Sequence, residues 1–280
     1  MFEALKAVFR KIYFKVNKNK VLINGRWVKI PADLISFFSI RTNNVVETEL
    51  EHFLNRYLKE GDVFIDVGAS IGLVSLFASN QVGAEGKVIA FEPNPWVYNR
   101  LSDIVRLNNK KNIKTYELAI SDTSGWLSLN LNNADSILMT RSSMLFADQN
   151  AQHTEVLVSS LDTFIPSQTN IDILKVDVEG VELEVLRGSR RLIEKQQPLV
   201  CVEIHGLFFD DHEKHVNEIF SFFDNMNYSC YNLYKKKEEN NKSFIENTGF
   251  QGTDEISGKD LSRHGYGQVV FFPKSKKIEF

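Results

Sequence analysis

Apolar runs with no polar alternation recur along the chain, separated by stretches whose apolar residues fall three or four apart. Val63, Phe64, Ile65 and Val67 make the first run, 87–93 (KVIAFEP) the second, and 171–180 (IDILKVDVEG) and 198–206 (PLVCVEIHG) the next two. Such runs mark strands covered on both faces, as in a parallel sheet packed between helices. Helical spacing is carried between them by Leu50, Phe53, Leu54 and Tyr57, then by Leu73, Val74, Leu76 and Phe77. It returns in Leu101, Ile104, Val105 and Leu107, and again in Val216, Ile219, Phe220 and Phe223. Strand alternating with helix predicts a doubly wound, Rossmann-like α/β sheet with right-handed crossovers.

Other segments follow a period of two. A strand is expected over 113–121 (IKTYELAIS), ending at Ser121 and Asp122. The alternation of 126–131 (WLSLNL) and 155–160 (EVLVSS) predicts antiparallel strands, joined by a polar loop through Arg141, Ser142 and Ser143 that could close over a ligand. Late strands at 228–234 and 268–273 read as an antiparallel pair added to the parallel sheet. Near the start, Asn24 and Gly25 predict a hairpin turn. The division expected is an N-terminal extension or cap over 1–46 and a main domain over 47–280. Within the cap, the basic amphipathic segment 1–20 is read first as a docked helix, with a membrane-surface helix as the alternative.

Composition narrows the function classes. The chain has 280 residues, 43% hydrophobic and 25% charged, with a formal net charge of -3, so it is long enough for a sizeable core and carries no basic excess for a nucleic-acid partner. Its two cysteines are too few for a disulfide scaffold. With no apolar run of the roughly 18 residues that a membrane span needs, a cytoplasmic protein is expected. No GxSxG elbow, phosphate loop or HExxH is present, which removes the support for acyl transfer, loop-bound phosphoryl transfer and zinc proteolysis.

Ligands of open α/β sheets sit outside the carboxyl ends of the strands, and charged residues gather there. The first strand offers Asp66, Gly68, Ser70 and Gly72; the second, Glu92 and Asn94; the third, Ser121 and Asp122. The fourth offers Lys175, Asp177 and Glu179, and the fifth Glu203 and His205. Gly68 and Gly72 space a GxxxG turn, whereas a dinucleotide turn wants GxGxxG with a middle glycine beside the pyrophosphate. A phosphate-free adenosine fits better, with Glu92 placed to hold a ribose diol. Asp66 would repel a pyrophosphate and favour a sulfonium or ammonium, both carried by S-adenosylmethionine.

Lys175 and Asp177 share a strand face, so the lysine is expected to pair with Asp177, Asp66 or Glu203. Asp177 is then either half of a structural ion pair or a residue that orients an acceptor hydroxyl and helps remove its proton. Glu203 and His205 also share a face, and His205 is the natural general base. The same three residues could ligate a divalent cation, but no HxxxH or paired-aspartate signature supports this and no metal is expected. His52, His153, His212, His215 and His264 are read as surface residues.

Five blocks in order, FIDVGASIGLVSLFAS, VIAFEPNP, LAISD with Gly125, ILKVDVEGVELEVLRG and VEIHG, resemble the FkbM family of S-adenosylmethionine-dependent methyltransferases. The resemblance implies a seven-stranded class I methyltransferase sheet with its last strands antiparallel, and methyl transfer to oxygen on sugars or secondary metabolites. It further implies Gly68 and Gly72 beside the methionine part, Asp66 near its ammonium, Glu92 on the ribose, Asp122 on the adenine amino group and Asp177 facing the methyl. A nicotinamide-dependent oxidoreductase and a non-catalytic adenosyl-binding protein are the alternatives.

Overall fold

The computed structural model describes residues 19–39, 42–131, 152–205, 209–233 and 267–276. Residues 1–18 of the N-terminal amphipathic segment, the loop through Arg141, Ser142 and Ser143, and the polar stretch at 235–265 lie outside the described residues. The chain opens with β1 (Lys20–Ile23) and β2 (Arg26–Lys29), an antiparallel hairpin turned at Asn24 and Gly25, both at positive φ. Helix α1 (Thr48–Tyr57) leads into β3 (Val63–Val67), followed by α2 (Leu73–Val82), β4 (Lys87–Phe91), α3 (Pro95–Leu107) and β5 (Ile113–Tyr116). Next come β6 (Ala119–Ile120), β7 (Gly125–Leu131), β8 (Gln152–Ser159), the short α4 (Leu161–Phe164) and β9 (Ile173–Val176). The remainder is α5 (Glu182–Arg187), α6 (Arg190–Gln196), β10 (Leu199–Ile204), α7 (His212–Asp224), β11 (Tyr228–Asn232) and β12 (Gly267–Pro273).

Seven strands form the main sheet in the order β11-β12-β10-β9-β3-β4-β5. β5, β4, β3, β9 and β10 pair in parallel, while β12 runs antiparallel to both β10 and β11 and so is the one reversed strand of this sheet. Alternate residues of β3 explain its unbroken apolarity: Phe64 joins one hydrophobic cluster, with Leu54, Phe77 and Leu101, and Ile65 and Val67 join another, with Leu186, Ile193 and Phe223. Hairpin residues Val21, Ile23 and Val28 belong to the first cluster, so the N-terminal hairpin and one face of the sheet share a core. Among the described residues no helix is long and apolar enough to cross a membrane.

One expected strand is divided. The segment 113–121 pairs with β4 from Ile113 as far as Tyr116, and Ala119–Ile120 then joins β7 and β8 in a separate three-stranded sheet. Ser121 and Asp122 therefore follow the small sheet rather than the tip of a main-sheet strand. Gly188 packs so close to them that a Cβ there would lie 2.0 Å from the Ser121 carbonyl oxygen.

Candidate active site

The carboxyl ends of β3, β4, β9 and β10 open on a cleft of about 310 Å³, walled by the 67–74 turn, Glu92, Asp177, Glu179, Glu203 and Glu47, with Phe91, Leu118 and Ile120 on its apolar side. The turn after β3 is left-handed at Gly68 (φ 76°), Ser70 (φ 50°) and Gly72 (φ 86°). Its glycines answer to neighbouring protein rather than to open space. A Cβ on Gly68 would stand 1.7 Å from the Asp177 carbonyl oxygen, and one on Gly72 would stand 2.3 Å from Leu101 Cδ1. Gly68 thus lets the tips of β3 and β9 close together.

Glu92, at the tip of β4, is 7% exposed. Its Oε2 accepts from the Ser70 amide at 3.0 Å and its Oε1 from the Asn94 amide at 2.9 Å, which ties the two βα turns to one carboxylate. Burial pushes its pKa up to about 7, and those two backbone hydrogen bonds work in the opposite direction. Asn94 itself caps α3, accepting from the Trp96 and Val97 amides, and does not line the cleft.

Asp66 is fully buried beneath the turn. It accepts from Ser75 Oγ at 2.6 Å and stands 3.3 Å from Lys175 Nζ, its register partner across β3 and β9. Lys175 also donates to Asp177 Oδ2 at 3.0 Å and to the Gly68 carbonyl at 3.3 Å. Burial opposes its charge, but Asp177 and Asp66 outweigh that and hold its pKa above the ordinary value. Of the partners open to Lys175 in the sequence, the structure brings in Asp66 and Asp177. Asp177 keeps 24% of its side chain exposed and lines the cleft.

His205 is not placed as a free base. Its Nδ1 lies 2.8 Å from Glu182 Oε1, while Nε2 lies 3.8 Å from Glu179 and 3.9 Å from Glu203. Burial lowers its pKa, but the hydrogen bond to Glu182 and the charges of Glu182, Asp177 and Glu179 raise it further, to about 9. These neighbours favour the imidazolium over the neutral ring that a general base needs. Glu182 is fully buried; burial raises its pKa, yet hydrogen bonds from His205 and His215 bring it down to about 2. His215, expected at the surface, is 7% exposed, 3.2 Å from Glu182 Oε2 and stacked on Phe209. Asp122 is exposed, and neither it nor Ser121 lines the cleft.

Sequence reasoning missed Glu47 and Gln268. Glu47 lines the cleft and accepts from Gln268 Nε2 at 2.8 Å, with its pKa raised chiefly by burial. A structural signal exposes it. Among the described residues, the non-glycine positions at positive φ are asparagines and Gln197 apart from Glu47, Ser70 and Glu179, and these three all line the cleft. Such a conformation costs about 1 kcal/mol or more per residue and gathers at functional sites.

The residues that carry most of this sheet and its cleft match a family model. The model, described as the methyltransferase FkbM domain, covers residues 66–230. The chain belongs to the FkbM methyltransferase family. Methyltransferase sdnD of Sordaria araneosa is 30% identical over 193 residues, covering 57% of this chain and 74% of that protein. The hexuronic acid methyltransferase AglP of Haloferax volcanii is 30% identical over 167 residues, and the chain spans 63% of its length and matches over 57% of its own. The crystal structure of methyltransferase FkbM from Methylobacillus flagellatus aligns with a TM-score of 0.46 at 15% identity, over 75% of this chain and 43% of that one. FkbM membership sets the chain among methyltransferases, not nicotinamide oxidoreductases.

Proposed function

We propose that this FkbM protein transfers a methyl group from S-adenosylmethionine to a hydroxyl oxygen of a sugar, glycan or secondary metabolite. One observation carries the reading: Glu92 stands between the Ser70 and Asn94 amides at the tips of adjacent strands, each carboxylate oxygen accepting one N–H. Each oxygen retains acceptor capacity, so a ribose diol can donate to both. The cleft beside it fits the rest of the cofactor. Phe91, Leu118 and Ile120 offer a face for adenine, and Ala69 and Ser70 stand where a dinucleotide turn would need a glycine for pyrophosphate.

When bound, the cofactor supplies an electrophilic methyl on a sulfonium centre. The protein's part is alignment and proton removal. Lys175 fixes Asp177 at the lip of the cleft, where its carboxylate orients the acceptor hydroxyl and takes the proton as the carbon–oxygen bond forms. Glu203, which also lines the cleft, receives a second acceptor hydroxyl. Asp66 serves Lys175 rather than the cofactor's ammonium, because its carboxylate is sealed from the cleft. The hexuronic acid named for the Haloferax relative supports a sugar acceptor.

Incubation with methyl-labelled S-adenosylmethionine and a panel of hydroxylated metabolites and glycans, read by mass spectrometry, tests the reading. A labelled methyl ether is expected. Transfer to nitrogen or carbon alone would overturn oxygen as the target, and cofactor binding with no transfer would leave an adenosyl-binding protein.

A further inference from the structure

We propose that Asp177, Glu203 and His205 form a binding site for one divalent cation at the acceptor end of the cleft. One ligand atom from each lies within 4.8 Å of the other two. Around an ion with bonds of about 2.1 Å, opposed ligands stand about 4.2 Å apart, and around calcium nearly 5 Å. Adjacent ligands around such an ion stand only about 3 Å apart, so side-chain rotations of about 1 Å draw this set onto an ion. The three come from the ends of β9 and β10, neighbouring parallel strands in the rigid middle of the sheet.

What stands behind His205 gives the cluster its direction. Its Nδ1 is held by Glu182 Oε1 at 2.8 Å, and that carboxylate is fixed in turn by the Gly180 amide at 2.8 Å and by His215 Nε2 at 3.2 Å. Nε2 lies 3.8 Å from Glu179 and 3.9 Å from Glu203. A carboxylate behind an imidazole fixes the tautomer and ring orientation of a metal-ligating histidine.

Strand β12 supplies an independent observation. Gln268, the register partner of Glu203, is 2% exposed and lines the same crevice as Asp177 and Glu203. Its Nε2 donates to Glu47 at 2.8 Å and approaches Glu203 at 3.4 Å, while its Oε1 has no hydrogen-bond partner among the described residues. The amide nitrogen faces the two carboxylates, and the buried oxygen that lacks a donor marks this crevice as one whose polar groups the chain alone does not satisfy. Lys175 does not fill that need, being engaged by Asp66, Asp177 and the Gly68 carbonyl.

Two carboxylates and an imidazole suit Mn²⁺, Mg²⁺ or Zn²⁺. Holding the acceptor hydroxyl and easing its deprotonation is the use such an ion would have. That use rests on the methyl-transfer reading; the binding does not.

The test is a titration of MnCl₂ into the full chain, followed by the paramagnetic resonance of free Mn²⁺, with calorimetry of S-adenosylhomocysteine on the same preparation. One Mn²⁺ per chain is expected, displaced by Mg²⁺ or Zn²⁺, weakened tenfold or more in Glu203→Gln and His205→Ala, and unchanged in Glu85→Gln, a variant at an exposed acid remote from the cleft lining. Should His205→Ala fail to fold, Glu203→Gln, which keeps the side-chain shape, decides alone. A wild-type chain that binds S-adenosylhomocysteine but no Mn²⁺, or Mn²⁺ binding that survives Glu203→Gln, overturns the cation site. Mn²⁺ binding without nucleoside binding supports the site and strikes instead at the methyl-transfer reading.

Discussion

Replacing Glu92 by glutamine separates cofactor binding from folding. The carboxylate accepts one backbone N–H on each oxygen, at 3.0 and 2.9 Å. An amide keeps one of those bonds and turns its NH₂ toward the other donor, a loss of about 1–3 kcal/mol in the folded state. Against this, the lift of the Glu92 pKa from 4.5 to about 7 means that holding the charge in the folded chain above pH 7 costs about 3 kcal/mol. Glutamine removes that cost, so the two effects nearly cancel and the variant should melt within a few degrees of wild type at pH 8. Binding does not enjoy the cancellation. Two ribose hydroxyls lose charge-assisted bonds worth about 2–4 kcal/mol together, so S-adenosylhomocysteine should bind roughly 30- to 1000-fold more weakly by calorimetry.

The pH dependence carries its own sign. A carboxyl whose folded pKa is raised contributes stability that is present below pH 4.5 and lost as pH rises through about 7. Wild-type protein without ligand should therefore lose stability across that window, and Glu92→Gln should not. Affinity runs the opposite way, since hydroxyl donors favour the ionised form: between pH 6 and pH 8 wild-type binding should tighten about tenfold, with proton release at the lower pH. Equal affinity of the variant and wild type within about threefold, or wild-type affinity that falls across this range, would refute the reasoning.

Gly68→Ala forces a Cβ to within 1.7 Å of the Asp177 carbonyl oxygen at a φ of 76°; it should cost more than about 2 kcal/mol in urea denaturation and abolish cofactor binding, because the tips of β3 and β9 must part. Lys175→Met leaves Asp66, fully buried, and Asp177 without their cation; a loss of about 3–5 kcal/mol is expected, and adding Asp66→Asn should restore part of it, as a double-mutant denaturation series would show. Asp122→Asn, at an exposed position off the cleft, should leave nucleoside affinity unchanged within twofold, contrary to the adenine contact that family resemblance implies.

The central strands were legible because burial on both faces removes the choice of which residues are apolar: 63–67, 87–91, 173–176 and 199–204 could be neither surface loops nor half-exposed strands. Their carboxyl ends then located Glu92, Lys175, Asp177 and Glu203 without knowledge of how the chain folds. What failed was pairing over distance. The run 113–121 changes sheets between Tyr116 and Ala119 because Ala119 finds Val158, about forty residues later, and nothing local marks that partner. The position of Asp122 off the cleft lining follows from that change of sheet. Glu47 and Gln268 were missed for a related reason, since they meet across some two hundred residues. His215 was within reach: it lies four residues before Ile219 on the apolar face of α7, a position that periodicity assigns to the interior.

The most direct measurement is a crystal structure of the chain with S-adenosylhomocysteine. The ribose diol is expected on the Glu92 carboxylate, the adenine against Phe91, Leu118 and Ile120, and the sulfur turned toward Asp177 at the open end of the cleft. A ligand seated away from Glu92, or a diphosphate-bearing nucleotide bridging residues 68–72 when both are offered, would contradict a phosphate-free cofactor site at these strand tips.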